Sequence, residues 1–114
     1  MASNNKELAS LRILAGPSAE KVFSIVEDSV TIGRSNEADI MIDDTLLSRQ
    51  HIRLFRKKGK WYLEDLGSSN GTWLGGREVK NQVEVGNFQR IRAGNSLCEI
   101  IFTSAEEEYD PSIT

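Results

Sequence analysis

Three short polar clusters contain the residues that could carry chemistry in this chain. They are Gly33-Arg34, Ser48-Arg49-Gln50-His51 and Ser68-Ser69-Asn70-Gly71-Thr72. Together they supply guanidinium groups, hydroxyls, a side-chain amide and turn glycines, which are groups that proteins use to bind phosphate. The clusters form no catalytic set. Their composition instead predicts a site for a doubly charged phosphate, held at the tips of loops.

Each cluster taken alone also has a purely structural explanation. Gly33-Arg34 is equally the pattern of a surface arginine after a turn glycine. Ser48 precedes a predicted strand, where serine commonly caps a turn, and His51 at the start of that strand is typical of a hydrogen-bonded structural residue. Asn70-Gly71 is also the signature of a plain hairpin turn. The evidence for a site therefore comes from the three clusters together.

The elements that must position these clusters are short strands. Apolar residues recur with a period of two, which is typical of half-buried strands. The alternating runs lie around residues 11–13, 23–25, 30–32, 40–42, 52–55, 61–64, 83–85, 89–92 and 97–102, and glycine- and asparagine-containing turn signals separate them. No window has a helical stripe, so no crossover helix for a parallel α/β fold is available. We predict roughly ten strands in a β-sandwich or small barrel.

Length and composition indicate one soluble domain. The chain has 114 residues, which is enough for a single small core. It has no long apolar run that would span a membrane and no signal-peptide pattern at its N-terminus. Its single cysteine, Cys98, cannot form an internal disulfide, so we expect a reducing compartment.

The two ends differ in composition from the predicted domain, residues 8–104. Residues 1–7 are polar, and we expect a flexible N-terminus. Residues 105–114 contain four acids and no base, and we expect a disordered acidic tail or linker. Since these four acids contribute −4 to a net charge of −3, the rest of the chain has a net charge of +1 and is close to neutral. That balance argues against a general nucleic-acid binder but not against binding one phosphate.

In this order and spacing the clusters resemble the forkhead-associated (FHA) domain family. Ser-Arg-x-His begins fifteen residues after Gly33, and Gly-Ser-x-Asn-Gly-Thr begins at Gly67. The segment 38–44 matches the stretch between the first two motifs, and the resemblance extends over about residues 11–103. Gly75-Gly76 departs from the Asn-Gly of many members, which puts the geometry of that turn in doubt but not the site.

The resemblance implies an all-β sandwich of about eleven strands that binds phosphothreonine peptides through loops at one end. It implies that Arg34 and Ser48 contact the phosphate, and that Arg49 contacts phosphate or peptide backbone. Ser69 would lie beside the phosphothreonine and Asn70 would bond the peptide main chain. The residues expected to support the site structurally are Gly33, His51, Gly67 and Gly71.

The resemblance further implies a partner phosphorylated on threonine, linked to a Ser/Thr kinase, and a small apolar pocket for the threonine methyl. Leu46 and Leu47 are candidates for recognising a residue after the phosphothreonine, although Leu47 could instead belong to the core. We expect a monomer in the cytoplasm, or in the nucleus if the source is eukaryotic. No cofactor, nucleic-acid or membrane partner is expected.

Two alternatives to a phosphate-binding module need to be weighed. The first is an enzyme, which we do not expect. Ser48, His51 and Asp65 are hydrolase residue types and Cys98 is a possible nucleophile. However, no glycine-rich nucleophile elbow surrounds the serine, and Cys98 lies in an apolar run where a packed cysteine is expected. One histidine and one cysteine make no plausible metal site. The second alternative is an interaction domain of the same fold that binds partners independently of phosphate.

Overall fold

The computed structural model, which describes residues 6–103, contains eleven β-strands in two sheets and no helix within that range. This confirms the predicted all-β sandwich. The strands are β1 Ala9–Ala15, β2 Val22–Ile25, β3 Ser29–Gly33, β4 Ile40–Met41, β5 Ile52–Lys57, β6 Lys60–Asp65, β7 Thr72–Leu74, β8 Arg77–Glu78, β9 Gln82–Val85, β10 Arg90–Ala93 and β11 Ser96–Phe102. Residues 1–5 of the predicted flexible N-terminus and the whole predicted tail, 105–114, lie outside the described residues.

Six strands form one sheet in the order β2-β1-β11-β10-β7-β8, and five form the other in the order β4-β3-β5-β6-β9. Their pairing is antiparallel except between β3 and β4, where Ile32 pairs with Ile40 in parallel. The parallel pair arises because the chain leaves β3, doubles back through residues 34–39 and re-enters alongside β3. That path places Arg34 at the end of the sheet.

The core consists of the alternate side chains that the period-two pattern predicted. Leu54 and Leu63 of one sheet, and Leu11 and Ile100 of the other, are completely buried. Burying such a side chain stabilises a fold by about 1.5–3 kcal/mol. These side chains face one another between the sheets and hold the strand ends, and therefore the loops, in place.

One short strand shows where the pattern was insufficient. β8 has two residues, too few for an alternation to be visible, whereas β4, which is equally short, lies in the predicted run 40–42. Gly75 and Gly76 form the two-residue turn between β7 and β8, with φ angles of 56° and 86°. Such a turn needs positive φ at both positions, and Gly-Gly satisfies this requirement as Asn-Gly does. The departure from the family pattern therefore preserves the hairpin.

The three polar clusters come to one end of the sandwich. β3 and β6 finish there, β5 and β7 begin there, and Ile52 pairs with both Ile32 and Asp65. The loops 34–39, 42–51 and 66–71 therefore meet at this end. Within residues 6–103, no helix is long and apolar enough to cross a membrane.

Candidate functional site

Gly33 allows two loops to pass in contact. Beyond the end of β3, Arg34 N donates to Ser48 O at 3.0 Å and Ser35 N donates to Arg49 O at 3.1 Å. A Cβ on Gly33 would lie 2.1 Å from Arg49 O and 2.8 Å from the Gln50 Cα. Backbone atoms block the space that any larger residue would need. Glycine is required here by this close approach and not by an unusual φ angle.

The side chain of Arg34 is exposed and attached to the second loop. Its Nε donates to Leu47 O at 3.1 Å. Its two terminal nitrogens make no hydrogen bond or ion pair with any other residue in the range 6–103. The bond to Leu47 therefore restricts the guanidinium group while it leaves the terminal fork available for an anion.

Ser48 joins the second loop to the third. Its Oγ accepts a hydrogen bond from Ser69 N at 3.1 Å, and its own N–H donates to His51 Nδ1 at 3.0 Å. A hydroxyl has one hydrogen and two lone pairs, so the Ser48 hydroxyl can still donate to a ligand. Because both ends of this residue are held, the hydroxyl has a defined position beside Ser69.

His51 is completely buried and links the same two loops from below. Since Nδ1 accepts from Ser48 N–H, the proton of the neutral ring lies on Nε2, which donates to Gly71 O at 2.9 Å. Both nitrogens are therefore engaged with backbone groups. The imidazole contacts the main chain of Ser48 and not its hydroxyl, so these two residues do not form a nucleophile and base pair.

The third loop is folded around the carboxylate of Asp65. One oxygen accepts from Gly67 N at 2.8 Å and Ser68 N at 2.7 Å, and the other accepts from Ser68 Oγ and Thr72 Oγ1, both at 2.7 Å. Ser68 Oγ also accepts from Gly71 N at 3.0 Å. Burial raises the pKa of Asp65, but these hydrogen bonds outweigh it and hold the pKa below the ordinary value of 3.8.

Asp65 was considered above only as a hydrolase residue type, and its structural role was not predicted. The sequence does contain a signal for this role, because an aspartate two residues before a glycine commonly accepts a hydrogen bond from that glycine's backbone N–H in an Asx turn. Gly67 and Gly71 take φ angles of 82° and 89°, the left-handed region that favours glycine. At Gly71 a Cβ would also come within 2.9 Å of the Trp73 ring.

The tip of the third loop reaches the second loop through Asn70. Its Nδ2 donates to Leu46 O at 2.8 Å, and both Ser69 and Asn70 are exposed. The Leu46 side chain is 45% exposed, whereas Leu47 is 3% exposed and packs in the core. The alternative that Leu47 belongs to the core is therefore correct, and Leu46 is the apolar side chain left at the surface.

Another carboxylate, that of the completely buried Asp44, holds the second loop against the other sheet. Its oxygens accept from Leu46 N at 2.9 Å, Asn95 N at 2.8 Å and Ser96 Oγ at 2.7 Å. Asp44 appeared above only as part of the segment 38–44 that matches the FHA family, and its role in fixing the second loop was not predicted. The local bond to Leu46 N is again an Asx turn, whereas the bonds to Asn95 and Ser96 depend on tertiary structure.

The five predicted contact residues are thus not equally connected. Arg34, Ser48, Ser69 and Asn70 are joined by the hydrogen bonds described above. Arg49 is attached through its backbone, and its exposed side chain makes no hydrogen bond or ion pair with another described residue. The arrangement presents two guanidinium groups, two hydroxyls and an amide around the three loop tips, without a general base among them.

Cys98 lies on β11, in the core. Burial, and then the negative charge of Asp44, raise the pKa of its thiol to about 12. The thiolate needed for nucleophilic attack is therefore scarce at neutral pH. Among the residues that the structure describes, no group of three or more His, Cys, Asp or Glu side chains could hold a metal ion.

Comparison with known proteins identifies the arrangement. Residues 30–94, a stretch that contains all three polar clusters, match the profile of the FHA domain. The chain belongs to the FHA domain family. It is 35% identical over 78 residues to the FHA domain-containing protein FhaB of Mycobacterium tuberculosis, a match that covers 68% of this chain and 50% of FhaB. The chain therefore corresponds to about half the length of that relative.

Solved FHA domains have the same fold. The FHA domain of CT664 from Chlamydia trachomatis superimposes with a TM-score of 0.79 at 26% identity, over 85% of this chain and 99% of that one. A second, from a structural and functional analysis of phosphothreonine-dependent FHA domain interactions, gives 0.75 at 25% identity, over 85% and 98% of the two chains. FHA domains are binding modules.

We predict that Gly33→Ala disrupts this FHA domain locally and globally. The added methyl must displace the backbone of Arg49 and Gln50, and such overpacking costs about 1–3 kcal/mol of unfolding free energy. Urea denaturation followed by tryptophan fluorescence measures the loss. The matched control is Gly86→Ala, because a Cβ there meets only the Gln89 side chain at 3.6 Å. Equal stability of the two variants would contradict the close approach.

We also predict a pH-dependent contribution from Asp65. Asp65→Ala should lose about 1–3 kcal/mol of stability at pH 7, because the loop donors lose their acceptor. The folded-state pKa lies below the unfolded value of 3.8, so the contribution is present above about pH 4 and is lost as the pH falls through the folded value.

Denaturation of wild type and of Asp65→Ala between pH 7 and pH 2.5 tests this pH dependence. The difference in unfolding free energy between the two proteins should decrease as the pH falls. Exposed Asp43, which makes no described side-chain contact, provides the control variant Asp43→Ala, for which no gap is expected. A gap of constant size from pH 7 to pH 2.5 would refute the assignment.

Proposed function

We propose that this FHA domain binds protein segments phosphorylated on threonine and thereby docks partners of a Ser/Thr kinase. The observation that carries the proposal is the Arg34 guanidinium, held by Leu47 O with its terminal nitrogens free of described partners, next to the positioned hydroxyl of Ser48. The similar FHA domain described with phosphothreonine-dependent interactions supports the same ligand class.

The chemistry of the ligand fits these groups. A phosphothreonine carries about −1.5 to −2 charges near neutral pH and three strong acceptor oxygens. Arg34 and Ser48 contact the phosphate, and exposed Arg49 adds a second permanent positive charge. Ser69 lies beside the phosphothreonine. Asn70 has one N–H and its carbonyl oxygen left for the peptide main chain, because the other N–H bonds Leu46 O.

The expected affinity is moderate. Each charge-assisted hydrogen bond contributes about 1.5–3 kcal/mol net. Three or four such bonds, less the cost of ordering the peptide, correspond to a Kd near 1 μM, or about −8 kcal/mol. The domain is therefore a reversible reader of phosphorylation. Preference for threonine over serine comes from burying the methyl group, which contributes roughly 1 kcal/mol.

We further propose that the domain has no catalytic activity of its own and acts as a monomeric part of a larger cytoplasmic protein, or a nuclear one in a eukaryote. The lack of catalytic activity is supported by the hydrogen bonds that occupy both ring nitrogens of His51 and by the raised pKa of Cys98. Membership of a larger protein is supported by the greater length of FhaB. Residues 8–104 would form the domain, and the acidic segment 105–114 follows it in the sequence.

Arg34→Ala should abolish most phosphopeptide binding in a folded domain. Loss of a charge-assisted contact of about 1.5–3 kcal/mol corresponds to a 10- to 150-fold weaker Kd. Isothermal titration calorimetry with a phosphothreonine peptide and with its unphosphorylated form measures both affinity and phosphate dependence. The control is Arg77→Ala, another exposed arginine, on β8.

Wild-type affinity in Arg34→Ala would refute the site. Equal affinity for both peptides would instead support the phosphate-independent interaction domain.

Leu46 should produce a preference for an apolar residue after the phosphothreonine. The backbone carbonyl of Leu46 accepts a hydrogen bond from the Asn70 side-chain amide, and the Leu46 side chain is exposed. The side chain therefore borders the path proposed for the peptide. An oriented phosphothreonine peptide library identifies the preferred residues. Leu46→Ala should weaken the apolar preference, whereas Val22→Ala, at an exposed position on the edge strand β2 of the other sheet, should not. An unchanged library profile in Leu46→Ala would rule out this role.

A further inference from the structure

The outer face of the β5–β6 hairpin carries an aromatic pair. Phe55 and Tyr62 are cross-strand partners whose rings stack with centroids 5.4 Å apart and an interplanar angle of 22°. The Arg53 guanidinium lies over the Phe55 ring at 4.1 Å from its centroid. Leu54, next to Phe55, and Leu63, next to Tyr62, point into the core. Because successive side chains of a strand point to opposite faces, the aromatic pair lies on the face of the sheet away from the core.

Three lysines surround the aromatic pair at the turn of the hairpin. Lys57 lies directly opposite Lys60, and Lys58 and Gly59 form the two-residue turn with φ angles of 54° and 79°. Like charges in directly opposite positions destabilise a hairpin, so an anion bound here would relieve repulsion. A groove of about 450 Å³ is lined by Phe55, Lys57, Lys58, Lys60, Tyr62 and Gln82.

The acids near this groove do not neutralise the lysines. Glu64 pairs with Arg53 at 2.9 Å and Asp28 pairs with Arg56 at 3.1 Å. Glu84 lies on β9, opposite Tyr62. No carboxylate in the range 6–103 lies within 4 Å of the three lysine ammonium groups. The surface therefore combines aromatic rings with uncompensated positive charge, which suits a segment of carboxylates that includes an aromatic side chain.

The C-terminal part of the chain contains such an acidic segment with an aromatic residue, and it begins at the end of the sandwich that carries the β5–β6 turn. Phe102, the last residue of β11, stacks on Trp61 at a centroid distance of 6.1 Å, and Lys60 directly precedes Trp61. Phe102 belongs to the six-stranded sheet and Trp61 points into the core, so the chain leaves the described fold at the same end of the sandwich as the hairpin turn, but on the other sheet. This end is opposite the phosphate-site loops. The residues that follow include Glu106-Glu107-Glu108-Tyr109-Asp110.

We propose that residues 106–110 dock on the outer face of the β5–β6 hairpin. An extended chain spans about 3.3 Å per residue, so these residues can reach roughly 10–23 Å from Thr103. The carboxylates would face Lys57, Lys58 and Lys60, and Tyr109 would pack on the rings of Phe55 and Tyr62. A short tether gives an effective concentration of order millimolar, so weak individual contacts are sufficient.

Spin labelling of the full chain tests this docking. A nitroxide on Ser112→Cys reports which amides lie near the tail by paramagnetic broadening in NMR spectra. Cys98 does not interfere, because it is buried and its pKa is raised to about 12. We expect strong broadening at residues 57–62, reduced in 0.5 M NaCl because the Debye length falls to a few ångströms, from about 8 Å at physiological salt.

A matched pair of variants separates docking from simple proximity of the tether. Lys57→Gln/Lys58→Gln/Lys60→Gln should remove most of the broadening. The control Lys6→Gln/Lys21→Gln/Lys80→Gln changes the net charge equally and should leave it unchanged. Neutralising the tail acids, with Glu106→Gln/Glu107→Gln/Glu108→Gln/Asp110→Asn, should have the same effect as neutralising the hairpin.

Three outcomes would overturn the proposal. The first is broadening at the hairpin that persists in high salt and in both the hairpin-neutralised and the tail-neutralised variants. The second is broadening confined to the opposite sheet, where Arg90 and Arg92 are exposed. The third is a response of the hairpin amides to a short single-stranded oligonucleotide but not to the tail, which would make the groove a nucleic-acid surface.

Discussion

Both ring nitrogens of His51 bond backbone groups of different loops, and the candidate site depends on this pair of bonds. One nitrogen receives the N–H of Ser48 and the other donates to the carbonyl of Gly71, 20 residues further along the chain. The ring is completely buried, so an unpaired backbone group here would have no water to replace its partner. A residue that resembles a catalytic base thereby acts as a structural bridge.

Two carboxylates also fix the loops by accepting hydrogen bonds. Asp65 organises the loop that carries Ser69 and Asn70, and Asp44 fixes the loop that carries Ser48. Each carboxylate accepts several backbone and hydroxyl donors, so the loops are ordered by hydrogen bonds formed before any ligand binds. Pre-ordered donors reduce the entropy lost on binding, which supports the micromolar affinity proposed above. The candidate site therefore consists of hydrogen-bonded loops beneath the exposed residues that we propose contact the ligand.

The charges of the molecule are divided between the two ends of the sandwich. Arg34 and Arg49 lie at the loop end, whereas the lysine-rich turn of the β5–β6 hairpin lies at the end where the chain leaves the fold. The length of β5 separates the two basic regions, so surface charges at one end are largely screened from the other. The proposed docking of the tail on the hairpin would therefore not compete with the proposed phosphate site.

The sequence by itself determined the fold class, the family and the order of the polar clusters. Alternation with a period of two predicts strands and their buried faces, and the spacing of Gly33-Arg34, Ser48-Arg49 and Ser69-Asn70 indicates the FHA family. Only the tertiary structure decided that Leu47 is buried while Leu46 is exposed, that Gly33 is needed for a backbone contact, and that Asp44 reaches the other sheet. These outcomes depend on strand register and on contacts between distant residues, whereas a local pattern records only which face a residue occupies.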